Sequence, residues 1–301
     1  MRSWRTIRQR RDRARRGQVS AVATILGLLL FVSLLSNYVI LQLPNTMSTL
    51  EYQHVLTLEN EFGRLQTALL AEVDTGDSIT LTVPVSLGSI PSPPFGPAAS
   101  GQLTFGNKTT GLNTTVNLPG GETPSLWSGS GLAIQVANLY TPATTVAYEA
   151  GAIILYQSGG TPVMIDPPPF SFSENATTGV QYVNLTTMGL LGTSAAESGI
   201  GTAGVSVQLV TPPTMLSLYS ATGSTLATLR ITTDFAQAWA TYFAPYVGLG
   251  YLGNVTCVYA PPGQASVACG SAPSNIPVII TAPVSVQFLT VTFATFTVAL
   301  G

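Results

Sequence analysis

Few residues in this chain are of types that do chemistry. The 301 residues hold one histidine, His54, and two cysteines, Cys257 and Cys269. A metal centre needs three or four ligands and a covalent catalyst needs a base beside its nucleophile. His54, with no second histidine and no nearby cysteine, has neither and reads as a solvated surface histidine. Glu122, Glu149, Asp166, Glu174, Glu197 and Asp234 are the pool from which a glycosidase-like carboxylate pair would come. Scattered as they are, they read as loop acids, with one exception. Glu149 sits inside Val146-Ala-Tyr-Glu-Ala-Gly-Ala-Ile-Ile-Leu, an apolar strand in which a carboxylate must find hydrogen-bond partners, so it reads as a satisfied structural group. No Gly-x-Ser-x-Gly or phosphate-loop pattern is present, and Gly199-Ile-Gly-Thr-Ala-Gly204 is a glycine loop without dinucleotide-binding context. The expectation is no enzyme, no catalytic residues, no cofactor and no metal.

The cysteines flank Val-Tyr-Ala-Pro-Pro-Gly-Gln-Ala-Ser-Val-Ala. With Pro262-Gly263 as the turn, Cys257 faces Cys269 and Tyr259 faces Val267 across a hairpin bridged by a disulfide. On the loop-entropy account such a short closed loop stabilises by about 3 kcal/mol, and it persists in an oxidising compartment. Asn107, Asn113, Asn175, Asn184 and Asn254 each open an Asn-x-Thr acceptor, more of them than chance placement gives, so N-glycosylation of a secreted body is expected.

Charge is segregated. Eight of the eleven Lys+Arg fall in the first sixteen residues against one acid, Asp12, a net of +7, while the other 285 residues carry three basic residues and twelve acids, a net of -9. Only 8% of residues are charged, where about a quarter is usual for a soluble domain, and 46% are hydrophobic, which excludes disorder. The apolar stretch after the arginines decides against a nucleic-acid arm. Residues 19–43 read VSAVATILGLLLFVSLLSNYVILQL, without a charge, and 25 residues of helix span about 37 Å, more than a bilayer core of roughly 30 Å. The stretch is too long for a cleaved secretory signal. Arginines before the span stay inside, which predicts a single-pass cell-membrane protein with a cytoplasmic N-terminus and an extracellular body, its first partner the membrane lipid.

Arg15-Arg16-Gly17 abutting Gln18-Val-Ser-Ala-Val-Ala-Thr-Ile-Leu-Gly-Leu-Leu-Leu resembles the precursors of archaeal type IV pilins and archaellins, which carry class III signal peptides. The resemblance covers residues 10–45. It implies that a prepilin-type peptidase cuts on the cytoplasmic side between Gly17 and Gln18, leaves the apolar helix on the mature protein, and makes other pilin-like subunits of a surface filament its partners. Where many bacterial pilins have Glu, five residues into the mature chain, this sequence has Val22.

The elements that would carry these features are read from periodicity. Pro44 is expected to break the helix, and Ser48 and Glu51 after it fit a capping box. Val55, Leu58, Phe62, Leu65 and Leu69 then form a 3-4-3-4 stripe that predicts a second helix near 49–73, packed on the protein's own sheet rather than on a neighbour. Alternation around Ile79, Leu81, Val83 and Val85, around Leu132, Ile134 and Val136, and around Val205, Val207 and Leu209 predicts strands. The proline-rich run 90–97 predicts a surface loop, and 284–298, whose alternation slips, predicts a strand with bulges. Thr233 as N-cap predicts a helix presenting Phe235, Trp239, Tyr242 and Phe243 on one face. The expected class is α+β: basic leader 1–17, transmembrane helix 18–43, amphipathic stalk helix 44–75, and a β-rich, antiparallel sandwich-like head 76–301. The functional expectation is a pilin-like minor or tip subunit of an archaeal surface filament. A non-polymerising ectodomain that binds a partner or surface glycan is the alternative, and an ectoenzyme the remote one.

Overall fold

The computed structural model describes residues 22–89, 96–107, 111–115, 125–126, 130–220, 225–259, 266–271 and 278–301. The expected leader with its Gly17–Gln18 junction, the core of the proline-rich loop, Glu122 and the Pro262-Gly263 turn lie outside these residues. The chain divides into two compact units, residues 1–50 with 91–97, and residues 51–90 with 98–301.

In the first unit the helix α1, which runs over Val22–Thr75, presents Leu28, Leu30 and Ile40 at more than 60% exposure. It is long and apolar enough to cross a membrane. Contrary to the expected break, Pro44 lies inside the helix. A proline lacks the N–H for the preceding turn and its ring strikes the carbonyl four residues back. Here the turn ahead is a π-turn, Tyr38–Gln42, in which the Leu43 N–H donates to the Tyr38 carbonyl, and this wider turn accommodates the ring. The capping box is accordingly absent: Ser48 Oγ donates to the Asn45 carbonyl at 3.0 Å, one turn back along a helix that has already begun.

Among the described residues the second unit has seventeen strands: β1 (Leu81–Ser86), β2 (Ser100–Asn107), β3 (Gly111–Thr115), β4 (Ser125–Leu126), β5 (Gly131–Ala137), β6 (Thr144–Glu149), β7 (Ala152–Gln157), β8 (Val163–Asp166), β9 (Phe170–Glu174), β10 (Gln181–Leu191), β11 (Ala195–Gly199), β12 (Thr202–Tyr219), β13 (Thr225–Thr233), β14 (Thr256–Tyr259), β15 (Ser266–Val267), β16 (Val278–Ser285) and β17 (Phe288–Leu300). The helix α2 (Ala236–Gly248) interrupts them. Three sheets result, in the orders β1-β12-β17-β10-β9, β11-β2-β5-β6-β7-β8 and β15-β14-β16-β13-β3-β4. The α+β class holds. Pairing among the described strands is antiparallel except between β10 and β17, which run parallel in the middle of the first sheet. A parallel pair requires cover on both faces, and both strands have it.

Two apolar cores account for that cover. On β17, Leu289, Val291 and Phe293 join one core, while Ala294, Phe296 and Val298 join the other. On β10, Val183 and Leu185 join the first, and Met188 and Leu190 the second. Successive side chains of a strand point to opposite faces, so a change from odd to even numbering means that the two cores lie on opposite faces of the same sheet, offset along the strands. This explains the slipping alternation at the C-terminus. It marks a change of face rather than bulges in β17, and the predicted single strand is in fact β16 and β17, joined through buried Val286. The register shifts fall on the facing strand β12, between Leu209 and Thr214.

From Glu51 onward, α1 belongs to this unit. Leu58, Phe62, Leu65 and Leu69 are all fully buried in one core with Val83, Val85, Leu103, Ile134 and Val205, so the stripe packs on the protein's own sheets. In the other core, Trp239 and Phe243 of α2 are fully buried against Leu229, Ile231, Ile280 and Val284. Thr233 does not cap α2, whose N-cap residue is Phe235; its hydroxyl oxygen accepts the Phe235 N–H at 2.8 Å, ahead of the helix, and its proton is directed elsewhere.

Candidate functional site

The chemically distinctive point of the second unit is where β6 ends against the start of α2. Period-two alternation along β6 sends Val146 and Tyr148 to one core and Thr145, Ala147 and Glu149 to the opposite face. Glu149 is only 6% exposed. Its Oε2 accepts the Thr233 hydroxyl at 2.6 Å and the Trp239 indole N–H at 3.1 Å. Its Oε1 is buried with no hydrogen-bond partner. Burial pushes the carboxyl up to about 7; the Thr233 and Trp239 bonds and the Asp234 backbone N–H oppose that rise, and the neighbouring Asp234 charge adds to it. The expectation of a satisfied carboxylate is thus half met, with one oxygen bonded and one orphaned.

The chain reverses immediately after Glu149 through Ala150 (φ 52) and Gly151 (φ 88). Two left-handed residues joining paired strands is the geometry of a type I′ hairpin. Gly151 is required there: a Cβ would come within 2.7 Å of Pro169 Cδ and 3.0 Å of Met188 Cε. Ala150 holds a conformation unfavourable to any residue with a Cβ.

Glu149 lines the end of an open groove of about 350 Å³ on the face of β2, β5, β6 and β7 opposite Val146 and Tyr148, walled by Asp234 and Phe235. Of the six candidate acids, the structure brings Glu149 and Asp234 together here. Asp166 is on β8, Glu174 ends β9 and Glu197 is on β11. Among the described residues no group of three or more His, Cys, Asp or Glu side chains could hold a metal ion.

The cysteines form the expected disulfide, with Cα atoms 5.3 Å apart. The register differs from expectation by two residues: Cys257 pairs with Val267 and Val258 with Ser266, while Cys269 lies just past β15 in a 3₁₀ turn, Cys269–Ser271. Bridging from beyond the strand end lets the chain turn away as soon as the two-residue ladder is complete. Asn175, Asn184 and Asn254 are exposed. Asn175 Oδ1 accepts the Thr177 and Thr178 N–H groups in a tight turn, Asn184 lies on β10, and Asn254 precedes β14. The backbone of Asn107 ends β2 and that of Asn113 lies in β3 opposite Arg230, and their side chains lie outside the described residues.

A row of polar side chains ties α1 to the sheets, among them Glu51, expected in a capping box, and His54, expected in solvent. Glu51, fully buried, accepts the backbone N–H groups of Leu139, Tyr140 and Thr141 and the Thr141 hydroxyl, at 2.7–3.2 Å. His54 is buried at 7% exposure, not solvated; its Nε2–H donates to the Ser86 carbonyl at 2.9 Å. Glu61 accepts both the N–H and the hydroxyl of Ser86, Gln66 donates to the Gly151 and Pro167 carbonyls, and Glu72 accepts the Leu209 N–H. The signal was present. Glu51, His54 and Glu72 continue the spacing of three and four that Leu58, Phe62, Leu65 and Leu69 define, so they occupy the same helix face as the apolar stripe.

No curated protein and no solved structure matches the chain. A family model described as a family of unknown function, DUF7289, matches residues 98–278, a stretch holding Glu149, Asp234, Trp239 and both cysteines. That match covers more than half of the chain, and the protein therefore belongs to the DUF7289 family.

Proposed function

We propose that this protein is a membrane-inserted surface protein with its N-terminus in the cytoplasm and its body outside the cell, and that it serves as a pilin-like minor or tip subunit of an archaeal surface filament. The observation that carries the reading is the division of labour along α1. Residues 22–42 present apolar side chains that no described residue of their own unit covers, whereas Leu58, Phe62, Leu65 and Leu69 are buried in the β-rich unit. An apolar helix face of that size needs lipid or other helices around it. With its lower stripe already used within the chain, the helix has only the upper segment to offer a membrane or copies of itself, and Ser20, Ala21, Ala23 and Gly27 are small enough for close helix approach. The disulfide favours an oxidising exterior. The arginine block before the span favours a cytoplasmic start, and exposed Asn175, Asn184 and Asn254 are placed where glycans could be added. A glycosylated head crowds a tightly wound filament, which favours a minor or tip position over a major subunit.

N-terminal sequencing of the mature protein, combined with shearing of cells, tests this. A mature chain starting at Gln18 and recovered in small amounts with sheared filaments supports the proposal. An intact arginine tail with strict retention in the membrane fraction replaces it with a singly anchored ectodomain, a reading that the exposed apolar helix would serve equally well.

A further inference from the structure

The groove beside Glu149 has a composition that selects for one class of ligand. Strand register sets Gln102 opposite Gln135, Gln135 opposite Thr145, and Thr145 opposite Tyr156, so two amides, a hydroxyl and a phenol form one row across four strands. The adjacent row is Thr104, Ala133, Ala147 and Ile154; Ala147 and Ile154 are buried in the core, so it is partly exposed Ala133, with no side chain beyond Cβ, that makes the depression. Asp234 and Phe235 close one side, with the Phe235 ring tilted against that of Tyr156, ring centres 6.1 Å apart. The volume of about 350 Å³ lies at the lower end of the range for small-molecule sites. Among the described residues lining the groove, none is Lys, Arg or His.

That combination disfavours phosphates, nucleic acids and acidic peptides, which need cationic partners. A purely apolar ligand would strand the amides and hydroxyls. Amides and hydroxyls that both donate and accept, a carboxylate acceptor, a low apolar shelf and an aromatic ring match a pyranose, whose hydroxyls ring a partly apolar C–H face. We propose that this groove binds a neutral saccharide of one or two pyranose units, with Gln102, Gln135 and Thr145 hydrogen-bonding its hydroxyls, Ala133 carrying its C–H face, and Asp234 accepting from the hydroxyl nearest α2. The site does not depend on filament assembly, so it stands or falls apart from the function proposed above.

The test uses the full-length protein in lipid nanodiscs, free of sugar-headed detergent. It is titrated with the methyl glycosides of glucose, galactose and mannose and with their disaccharides, and binding is followed by saturation-transfer NMR. At least one glycoside is expected to bind saturably. Q135A, at an exposed side chain, should weaken binding at least tenfold with an unchanged melting temperature, and A133L should abolish it by filling the depression. Absence of binding by every glycoside, or binding undiminished in Q135A, overturns the proposal. A second arm separates two sources of the sugar. Self-association that free glycoside reverses identifies glycans on another copy of this chain, and monomeric protein that binds the glycoside identifies a saccharide carried elsewhere; both uphold the site.

Discussion

Replacing Glu149 by Gln should remove a pH dependence of stability that the wild-type protein carries near neutrality. In the folded protein burial pushes this carboxyl from its ordinary 4.5 to about 7. Between those values the native state keeps a proton that the unfolded chain has released. The contribution of Glu149 to stability is therefore fully present below pH 4.5, declines as the pH rises towards 7, and is lost above it. A tenfold difference in proton affinity corresponds to 1.36 kcal/mol, so the ionised side chain burdens the native state by roughly 3 kcal/mol at pH 8 relative to pH 4.5. Glutamine keeps an oxygen to accept from the Thr233 hydroxyl and the Trp239 indole, and it cannot ionise. Urea unfolding of the full chain with its disulfide intact, followed by tryptophan fluorescence at several pH values from 4.5 to 8.5, gives the difference between wild type and E149Q. That difference should lie within about 1 kcal/mol at the acid end, the worth of one exchanged hydrogen bond. It should then move by roughly 3 kcal/mol in favour of E149Q as the pH rises. A difference that stays constant with pH, or one that moves in favour of wild type, would refute the assignment of Glu149 as a buried carboxyl held protonated.

F62A should destabilise the protein by about 3–5 kcal/mol in the same unfolding assay, because Phe62 is fully buried between α1 and the sheets, whereas Y52A, at a side chain 60% exposed, should change stability by no more than about 0.5 kcal/mol. Comparable losses in both variants would contradict the packed face. A150G should raise stability by about 1 kcal/mol by relieving the left-handed backbone at φ 52, measured as an increase in urea midpoint without a change in slope; a fall in midpoint would show that the turn is not strained.

Much of the fold can be read from local pattern. The 3-4-3-4 spacing of Val55 to Leu69 identifies a helix and its buried face, and alternation around Val83, Ile134 and Val207 identifies β1, β5 and β12. The spacing of Cys257 and Cys269 identifies the disulfide, and the charge-free stretch from Val19 identifies an apolar helix. These succeed because each depends on burial of one face of one element, and burial of a face leaves a period in the sequence. The departures share a cause as well. Pro44 reads locally as a helix stop, yet a π-turn beginning six residues earlier absorbs it. His54 and Glu51 read as a solvated group and a cap because they are polar, yet each meets backbone groups far along the chain, at Ser86 and at residues 139–141.

What the sequence determined by itself is the class of each segment and the separation of a basic, apolar beginning from an acidic, strand-rich body, since composition and period are properties of contiguous residues. What only the tertiary structure decided are the matters that join distant residues. The two cores on opposite faces of β10 and β17 shift the alternation halfway along each strand, which no single-face pattern can encode. The partners of Glu149 lie 84 and 90 residues further on, and the row Gln102, Gln135, Thr145 and Tyr156 exists only because four strands pair in one register. A carboxylate in an apolar strand announces from sequence that it needs partners. Which hydroxyl and which indole supply them, and which oxygen goes without, depends on how helix and sheets come together in space.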